Sequence, residues 1–289
     1  MRTITVLSAV FLALVLCRSG ARSAGMQQKE TIEKTLRFSG SSSDRVVIID
    51  NVFGSITVTG RDGDEIRMTA HKTIKARSEA KIQKAQREVF LDITEEDDLV
   101  EIYVDGPFRT KEKDERGCVH WTGYDRQGYE VWYEFDVEVP RDCSVVLKTV
   151  LDGDVVVRSV EGDFELKNVN GSVRMDDVRG SGEACTVNGD VTMHFDASPR
   201  EDCRFATVNG EVRLYFPPTL SADFSLDTFT GDVFTDFEFE ALPPKIYSTE
   251  EHNGNNVYKV GRLCMVRTGH GGPEIKLDGF NGDMFILKN

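Results

Sequence analysis

A glycine recurs at fixed spacing through the middle of this chain. Gly153, Gly162, Gly171, Gly180 and Gly189 lie nine residues apart, and Gly210 and Gly231 follow at steps of 21. A repeat of this kind constrains a fold more than local propensity does, because each unit must bury its apolar face against its neighbours. Val155, Val157 and Val160 follow the first glycine, Phe164, Leu166 and Val169 the second, and Val173, Met175 and Val178 the third. The pattern weakens at Gly182, Ala184 and Val187. The first two residues of each triplet share one face of a strand, since side chains alternate with period two. The third is out of phase, so the chain must bend before it. Each nonapeptide is one short strand and one corner.

Strands this short suit either an antiparallel meander or a solenoid of parallel coils, and the corner dipeptides decide between them. Asp152-Gly153, Asn170-Gly171, Asn188-Gly189, Asn209-Gly210 and Thr230-Gly231 place a small polar residue before glycine, whereas the intervening corners read Glu161-Gly162 and Arg179-Gly180. Every second corner is alike, which makes the period 18 residues, stretching to 21, in coils with two sides. Thr186, Thr207 and Thr228 then fall in register, as do Val187, Val208 and Phe229, Val191, Val212 and Val233, and Phe195, Phe216 and Phe237. Stacking of like side chains is what holds such a solenoid in register. Asparagine and glycine suit the corners because both tolerate positive φ. The expected fold is all-β: a parallel β-solenoid with 18 to 21 residue two-sided coils over 141–289, preceded by a β-rich N-terminal segment, 25–140, with one helix.

Residues 1–24 begin with Arg2, run through an apolar stretch from Val6 to Leu16 and end in small residues, the plan of a secretory signal peptide. The apolar stretch is short for a membrane span, so no transmembrane segment is expected once the signal is removed. Cleavage after Ala21 takes away Arg2 and Arg18 and makes the formal net charge of -14 two units more negative. An acidic chain of this kind excludes nucleic acid and anionic membrane as natural partners. Cys118, Cys143, Cys185, Cys203 and Cys264 remain, and in an oxidising compartment their number predicts one or two disulfides and a leftover thiol.

Before the repeat, strands are expected over Glu33 to Phe38, Arg45 to Ile49, Ser55 to Thr59 and Glu65 to Ala70. Asn51 to Val58 already carries the corner pattern. Ser78 to Glu88 lacks Gly and Pro and is rich in Ala, Lys, Glu, Gln and Arg, which predicts the helix. A charged loop from Gly106 to Gln127 leads into a strand where Tyr129, Val131, Tyr133, Phe135, Val137 and Val139 alternate with mostly acidic residues. After the repeat, Tyr247 to Tyr258 reads as a hairpin. The final coil, Gly282 to Lys288, is expected at the open end of the stack, and the segment from Thr31 to Val104, with its helix, over the other end.

The corners Val169-Asn170-Gly171-Ser172-Val173, Val187-Asn188-Gly189-Asp190-Val191 and Val208-Asn209-Gly210-Glu211-Val212, behind the strand Phe135 to Pro140, resemble the bacterial putative-adhesin family of β-strand-repeat envelope proteins. The resemblance covers residues 30–289 and implies a non-catalytic β-solenoid outside the cytoplasm.

The functional residues stand against bland alternatives. Asp154, Asp190, Glu211 and Asp232 follow the corner glycines and form a ladder of like charge, a candidate calcium edge; the plainer reading is turn residues that bond their own backbone. Cys118 and His120 lack a second pair at metal spacing, and no serine sits in a Gly-x-Ser-x-Gly elbow, so zinc and nucleophilic catalysis lack support. Trp121, Tyr124 and Trp132, with Tyr129, form the candidate binding surface, unless they pin their own loop to the sheet. Gly153, Gly171, Gly189, Gly210 and Gly231 are structural corners. The expectation is an exported structural or adhesion-type protein, periplasmic, outer-surface or secreted, with no cofactor, binding an envelope or extracellular protein or glycan. A calcium-dependent binding module and a carbohydrate-active β-helix enzyme are the alternatives.

Overall fold

The computed structural model describes residues 25–40, 44–113, 119–121, 128–243, 246–252, 255–260 and 264–289. The expected signal peptide, residues 1–24, lies outside them, as do Cys118 and Tyr124.

The first strands are β1 (Met26–Arg37), β2 (Val46–Asp50), β3 (Ile56–Arg61) and β4 (Glu65–Ala76), followed by helix α1 (Glu79–Glu88). Next come β5 (Phe90–Glu95), β6 (Leu99–Asp105), β7 (Arg109–Lys113), β8 (Val119–Trp121) and β9 (Tyr129–Pro140). The repeat contributes β10 (Ser144–Lys148), β11 (Val155–Arg158), β12 (Phe164–Lys167), β13 (Val173–Val178), β14 (Gly182–Asn188), β15 (Val191–Phe195), β16 (Cys203–Asn209) and β17 (Val212–Phe216). The chain closes with β18 (Ala222–Thr230), β19 (Val233–Thr235), β20 (Glu240–Ala241), β21 (Ile246–His252), β22 (Asn255–Val260), β23 (Cys264–Thr268), β24 (Glu274–Asn281) and β25 (Met284–Lys288).

Two large sheets carry the fold. One runs β1-β4-β9-β3-β11-β13-β15-β17-β25-β19 and the other β20-β23-β18-β24-β16-β14-β12-β10-β2-β6-β5. Successive coils place one strand in each sheet, and the alternating pattern turns one side of every strand inward. Val155, Val157, Leu166, Val173, Met175, Val191, Phe205 and Leu214 are all fully buried between the sheets. Pairing is parallel and follows the repeat: Val155 lies beside Val173, Val173 beside Val191 and Val191 beside Val212. In β9 the apolar residues point inward and the acidic ones out, as the alternation requires, with Trp132 half-buried on the outer side.

The glycine corners are close approaches between coils. A Cβ on Gly210 would lie 2.0 Å from the carbonyl oxygen of Gly189, and one on Gly189 would lie 2.3 Å from that of Gly171. The asparagines serve a different purpose from the positive φ expected of them, since among the described residues the non-glycine ones with that conformation are Asp152, Ser159 and Asp177. Asn188 Nδ2 donates to Asn170 Oδ1 (2.8 Å), Asn209 to Asn188 (2.8 Å) and Asn281 to Asn209 (2.9 Å), a continuous amide ladder. Thr230 Oγ1 ends it, donating to Asn281 Oδ1 at 2.7 Å.

A second, inner column satisfies the corner carbonyls. Thr149 Oγ1 donates to the Gly54 carbonyl, Asn168 Nδ2 to that of Gly153, Thr186 to that of Gly171 and Thr207 to that of Gly189, at 2.8 to 2.9 Å. Fully buried Asn51 begins the series by donating to the Tyr133 carbonyl. Replacing a buried partner leaves a carbonyl without water or protein to bond, which costs about 1–3 kcal/mol. Thr207→Val, close in shape, is therefore expected to lower stability by about 1–3 kcal/mol in urea unfolding. Thr192→Val, on the outer side of β15, should stay within about 0.5 kcal/mol of wild type.

The ends of the stack depart from the sequence order. β24 and β25 do not form the open end: β24 pairs with β16 on one side and β18 on the other, and β25 lies between β17 and β19, all in parallel. The closing coil is thus inserted between the coils that precede it in sequence. Thr228 therefore lies beside Gly279 and not beside Thr207. Phe237 also leaves its expected column. Phe195 and Phe216 stack at 4.7 Å, while Phe237 lies beyond β19 with Lys288 Nζ over its ring. The same device recurs at the other end, where β2 and β3 lie between the β6 and β9 coil and the β10 and β11 coil.

The N-terminal end is closed. β4 and β1 extend one sheet antiparallel beyond β9, β5 extends the other beyond β6, and α1 contacts β1, β4 and β9. Ile82 and Ala85 of α1 are buried. Lys72, also buried, donates from Nζ to the Val89 carbonyl at 2.6 Å, and burial lowers its pKa. β1 carries Lys29, Glu30, Glu33, Lys34 and Arg37 along its free edge, charges that discourage further pairing.

Cys143, Cys185, Cys203 and Cys264 are free thiols, in place of the disulfides that the cysteine count predicts. Their strands carry them to separate sites: Cys143 and Cys203 are buried, Cys185 is half-buried and Cys264 is exposed. Burial pushes the Cys143 thiol up to about 12 and that of Cys203 up to about 11. At Cys185, burial and the acceptor Glu183 push the thiol up to about 12. Alkylation of the folded protein at neutral pH, read by peptide mass, should modify Cys264 first and spare Cys143 and Cys203 until the chain unfolds.

Candidate binding surface

Two of the carboxylates after the corner glycines, those of Asp154 and Asp190, act between coils. Asp154 Oδ1 accepts the Ser172 N–H (2.7 Å), Ser172 Oγ accepts the Asp190 N–H (3.2 Å) and Asp190 Oδ1 accepts the Glu211 N–H (2.8 Å). The Asp232 N–H bonds Asp283 Oδ1 at 3.0 Å, and the Glu211 carboxylate pairs with Arg213. The opposite corner repeats the motif, with Asp163 Oδ1 accepting from Ser181 and Ser181 Oγ accepting from Glu201. The bonds run to the next coil, where the sequence reading expected each residue's own backbone. Among the described residues, no group of three or more His, Cys, Asp or Glu side chains converges to hold a metal.

The aromatic set chosen from the sequence is only partly visible. Trp121 ends β8, and Tyr124 is outside the described residues. Tyr129 is buried, and its hydroxyl donates to Glu88 Oε2 at 2.6 Å. Trp132 packs edge-on against Phe53 with ring centres 6.0 Å apart, and Lys75 Nζ sits 4.2 Å from its centroid.

Apart from Phe90 at the start of β5, the exposed aromatic residues among the described ones lie at the other end, on the two last coils of the stack. Phe229 of β18 and Phe280 of β24 flank the corner and stack with ring centres 4.8 Å apart and planes 1° from parallel. Phe234 and Phe285, just past the same corners in the other sheet, stack at 5.1 Å. These distances match the spacing of neighbouring strands, so register alone aligns the rings. Phe229 is 71% exposed and Phe280 49%. Exposed Val187 and Val208 continue their column, because Thr186 pairs with Thr207 and Thr207 with Gly279 on the same strands. The signal was present in the sequence, in Phe229-Thr230-Gly231-Asp232-Val233-Phe234 and Phe280-Asn281-Gly282-Asp283-Met284-Phe285.

A charged column lies beside the apolar one. Arg204 donates to Glu183 Oε1 and, at 2.9 Å, to Asp278 Oδ2. Burial pushes the Glu183 carboxyl up, but Cys185, Arg204 and Lys167 outweigh it and hold the pKa below the usual range. Between the columns, Ala206, Val208, Asp227, Phe229, Asp278 and Phe280 line a shallow groove of ≈ 380 Å³. On the other sheet, Arg213 lies 4.0 Å from the Phe285 centroid, and His194 stacks on Tyr215 at 4.2 Å. His194 Nδ1 is 3.0 Å from Asp176 Oδ1, near enough for an ion pair when protonated but without hydrogen-bond geometry. Arg174 already grips that carboxylate through two bonds.

Residues 147–262, the repeat and its extension, match the family described as Toastrack DUF4097. Over this stretch the chain is similar to the Toastrack family. Solved structures similar over most of the chain include a "putative cell adhesion protein" from Clostridium sporogenes, at 10% identity and a TM-score of 0.44, covering 90% of this chain and 100% of the other. A "putative adhesin" from Bacteroides fragilis is 10% identical with a TM-score of 0.38, covering 90% and 97%. A "putative lipid binding protein" from Parabacteroides distasonis is 11% identical with a TM-score of 0.27, covering 90% and 96%. No curated protein matches the chain. Strands before and after the matched stretch, among them β3, β24 and β25, complete both sheets. No helix among the described residues is long and apolar enough to cross a membrane.

Proposed function

We propose that this protein is a non-catalytic, exported scaffold that binds an envelope or extracellular protein or glycan through the outer surface of its C-terminal coils. The observation that carries the proposal is the pair of phenylalanine stacks, exposed Phe229 on exposed Phe280 and exposed Phe234 on half-buried Phe285. Exposed aromatic rings held rigid by a sheet lose little entropy on binding and offer broad apolar contact. In this reading the coils are the 18 to 21 residue units of the sequence, residues 1–24 are the signal peptide, and 25–140 closes the end of the stack formed by 141–289. Asp154 and Asp190 staple coils together, Glu211 pairs with Arg213, and none of these or Asp232 holds calcium, so added calcium or chelator should leave the melting temperature where it was.

Envelope extracts and a glycan array, each probed with wild type and with Phe229→Ala/Phe280→Ala, test the proposal. Those side chains are exposed, so the double variant should melt close to wild type. Retention of one defined protein or glycan by wild type, weakened at least tenfold in the variant, supports the reading. Equal retention by both proteins, or turnover of a polysaccharide, would overturn it.

A further inference from the structure

The two sheets end unevenly at the C-terminal side of the stack. One stops at β19, while the other continues past β18 through β23 and β20, both antiparallel. The inner faces of β18 and β23 therefore project beyond the last strand that could cover them. Leu226, Phe229, Val233, Phe239 and Val266 line the resulting cavity of ≈ 860 Å³, with Asp227, Thr228, Thr235 and Cys264 at its wall. Thr228 Oγ1 is buried there without a hydrogen-bond partner among the described residues. Cys264 sits opposite Leu226 across the β18 and β23 pair, on the same face, yet it is exposed.

The edge of β19 is open as well among the described residues, since its one partner there is β25. Asp232 accepts from Met284 N–H and the Asp236 N–H donates to Ile286, which puts the even-numbered residues of this strand on the β25 side. By the alternation of a parallel ladder, the backbone N–H and C=O groups of Val233 and Thr235 face outward, away from β25. At the opposite end of the molecule the equivalent gap is covered by α1 and the charged strand β1.

We propose that a short extended polypeptide segment of a partner protein, with alternating apolar and basic residues, adds to the free edge of β19 and seats its apolar side chains in this cavity opposite β23. Strand addition supplies the backbone bonds, and the cavity selects alternate side chains. Charge fixes the chemistry of the occupant. Asp227 lines the cavity, and Asp232 and Asp236 flank the open residues of β19, with no Lys or Arg between Leu226 and Glu240; of the cations on neighbouring strands, Lys288 lies over the Phe237 ring and Arg267 grips Asp223. The same charges oppose a second copy, since antiparallel pairing of two β19 strands would set Asp232 of each copy near Asp236 of the other. The inference rests on the non-catalytic binding reading and adds a partner class at the cavity, one wall of which is Phe229. The two are told apart with Phe280→Ala alone, whose ring is not part of that wall: loss of glycan or extract retention in this variant does not bear on the peptide, so the two can fail separately.

The test uses the full mature chain and a labelled seven-residue peptide of alternating Lys and Val, read by fluorescence anisotropy, with alkylation of Cys264 as a built-in reporter. Binding is expected to weaken at least tenfold when Glu replaces every Lys, when Pro replaces the central Val, or when the protein carries Val233→Lys. The Val187→Lys protein, altered on the outer apolar column, should bind as wild type does. Bound peptide should slow Cys264 alkylation and the exchange of the Val233 and Thr235 amides. Failure to bind overturns the proposal. So does binding that leaves Cys264 and those amides unprotected, which is attraction to the acidic surface alone. Sedimentation showing a dimer that shields Cys264 would overturn it in favour of self-association.

Discussion

Gly210→Val is expected to prevent the repeat region from folding, at a cost of about 4 kcal/mol or more. The Cβ of the new side chain would lie 2.0 Å from the Gly189 carbonyl oxygen and 2.9 Å from Asp190 Oδ1, where no real Cβ fits. Relief requires the coils to separate, which would break the amide ladder between Asn209 and Asn188 and the bond from Glu211 N–H to Asp190. The backbone adds to the penalty, since φ at Gly210 is +153°. Gly63→Ala isolates the backbone contribution, because φ there is +114° but nothing lies within 4 Å of the added Cβ. It should cost only about 1–3 kcal/mol. Circular dichroism melts of both proteins check the contrast. A Gly210→Val protein that melts like the Gly63→Ala protein would mean that the coils do not approach so closely.

Stopping the chain after Gly272 should be nearly as damaging, which would not hold for an outermost coil. The deletion removes Ile275, Leu277, Met284 and Ile286, all buried, from the interior of the stack. Burial of side chains of this size contributes about 1.5–3 kcal/mol each. Their loss is comparable with the whole stability of a typical domain, about 5–15 kcal/mol. It also strips one edge from each of β16, β17, β18 and β19, leaving rows of unpaired backbone groups that promote aggregation. Light scattering and thermal unfolding of the shortened chain should show aggregation and no cooperative melt. A monomer with the wild-type melting temperature would contradict the insertion of β24 and β25.

The contrast between these two predictions shows what was legible in the residues. The glycine spacing and the recurrence of Thr186 and Thr207 announce parallel coils, because each reports a contact that repeats between like neighbours. The order of the coils is a different matter. Nothing local in the run from Glu274 to Leu277 says whether a strand pairs with its predecessor or passes over it, since the alternation is the same either way. The match between Phe229 to Phe234 and Phe280 to Phe285 shows that these coils are alike, yet only the three-dimensional arrangement makes them adjacent. The aromatic surface was misplaced for a related reason: exposure depends on what packs above a residue. Trp132 meets Phe53 and Lys75, while Phe229, placed in the register of Val187 and Val208 by spacing alone, is left open to solvent. The acidic corners show a third limit, since Asp154 and Asp190 look like a repulsive ladder in sequence until the N–H groups of Ser172 and Glu211 are seen facing them.

Native-state hydrogen exchange of the β25 amides is the most direct measurement. A strand flanked on both sides by parallel partners opens only when the coils around it open. The Ile286 amide should therefore exchange as slowly as that of Leu214 in β17, and far more slowly than those of Val233 and Thr235 at the free edge of β19. Exchange of Ile286 at the rate of an edge strand would contradict the inserted coil and, with it, the placement of the aromatic pairs and the open end beside them.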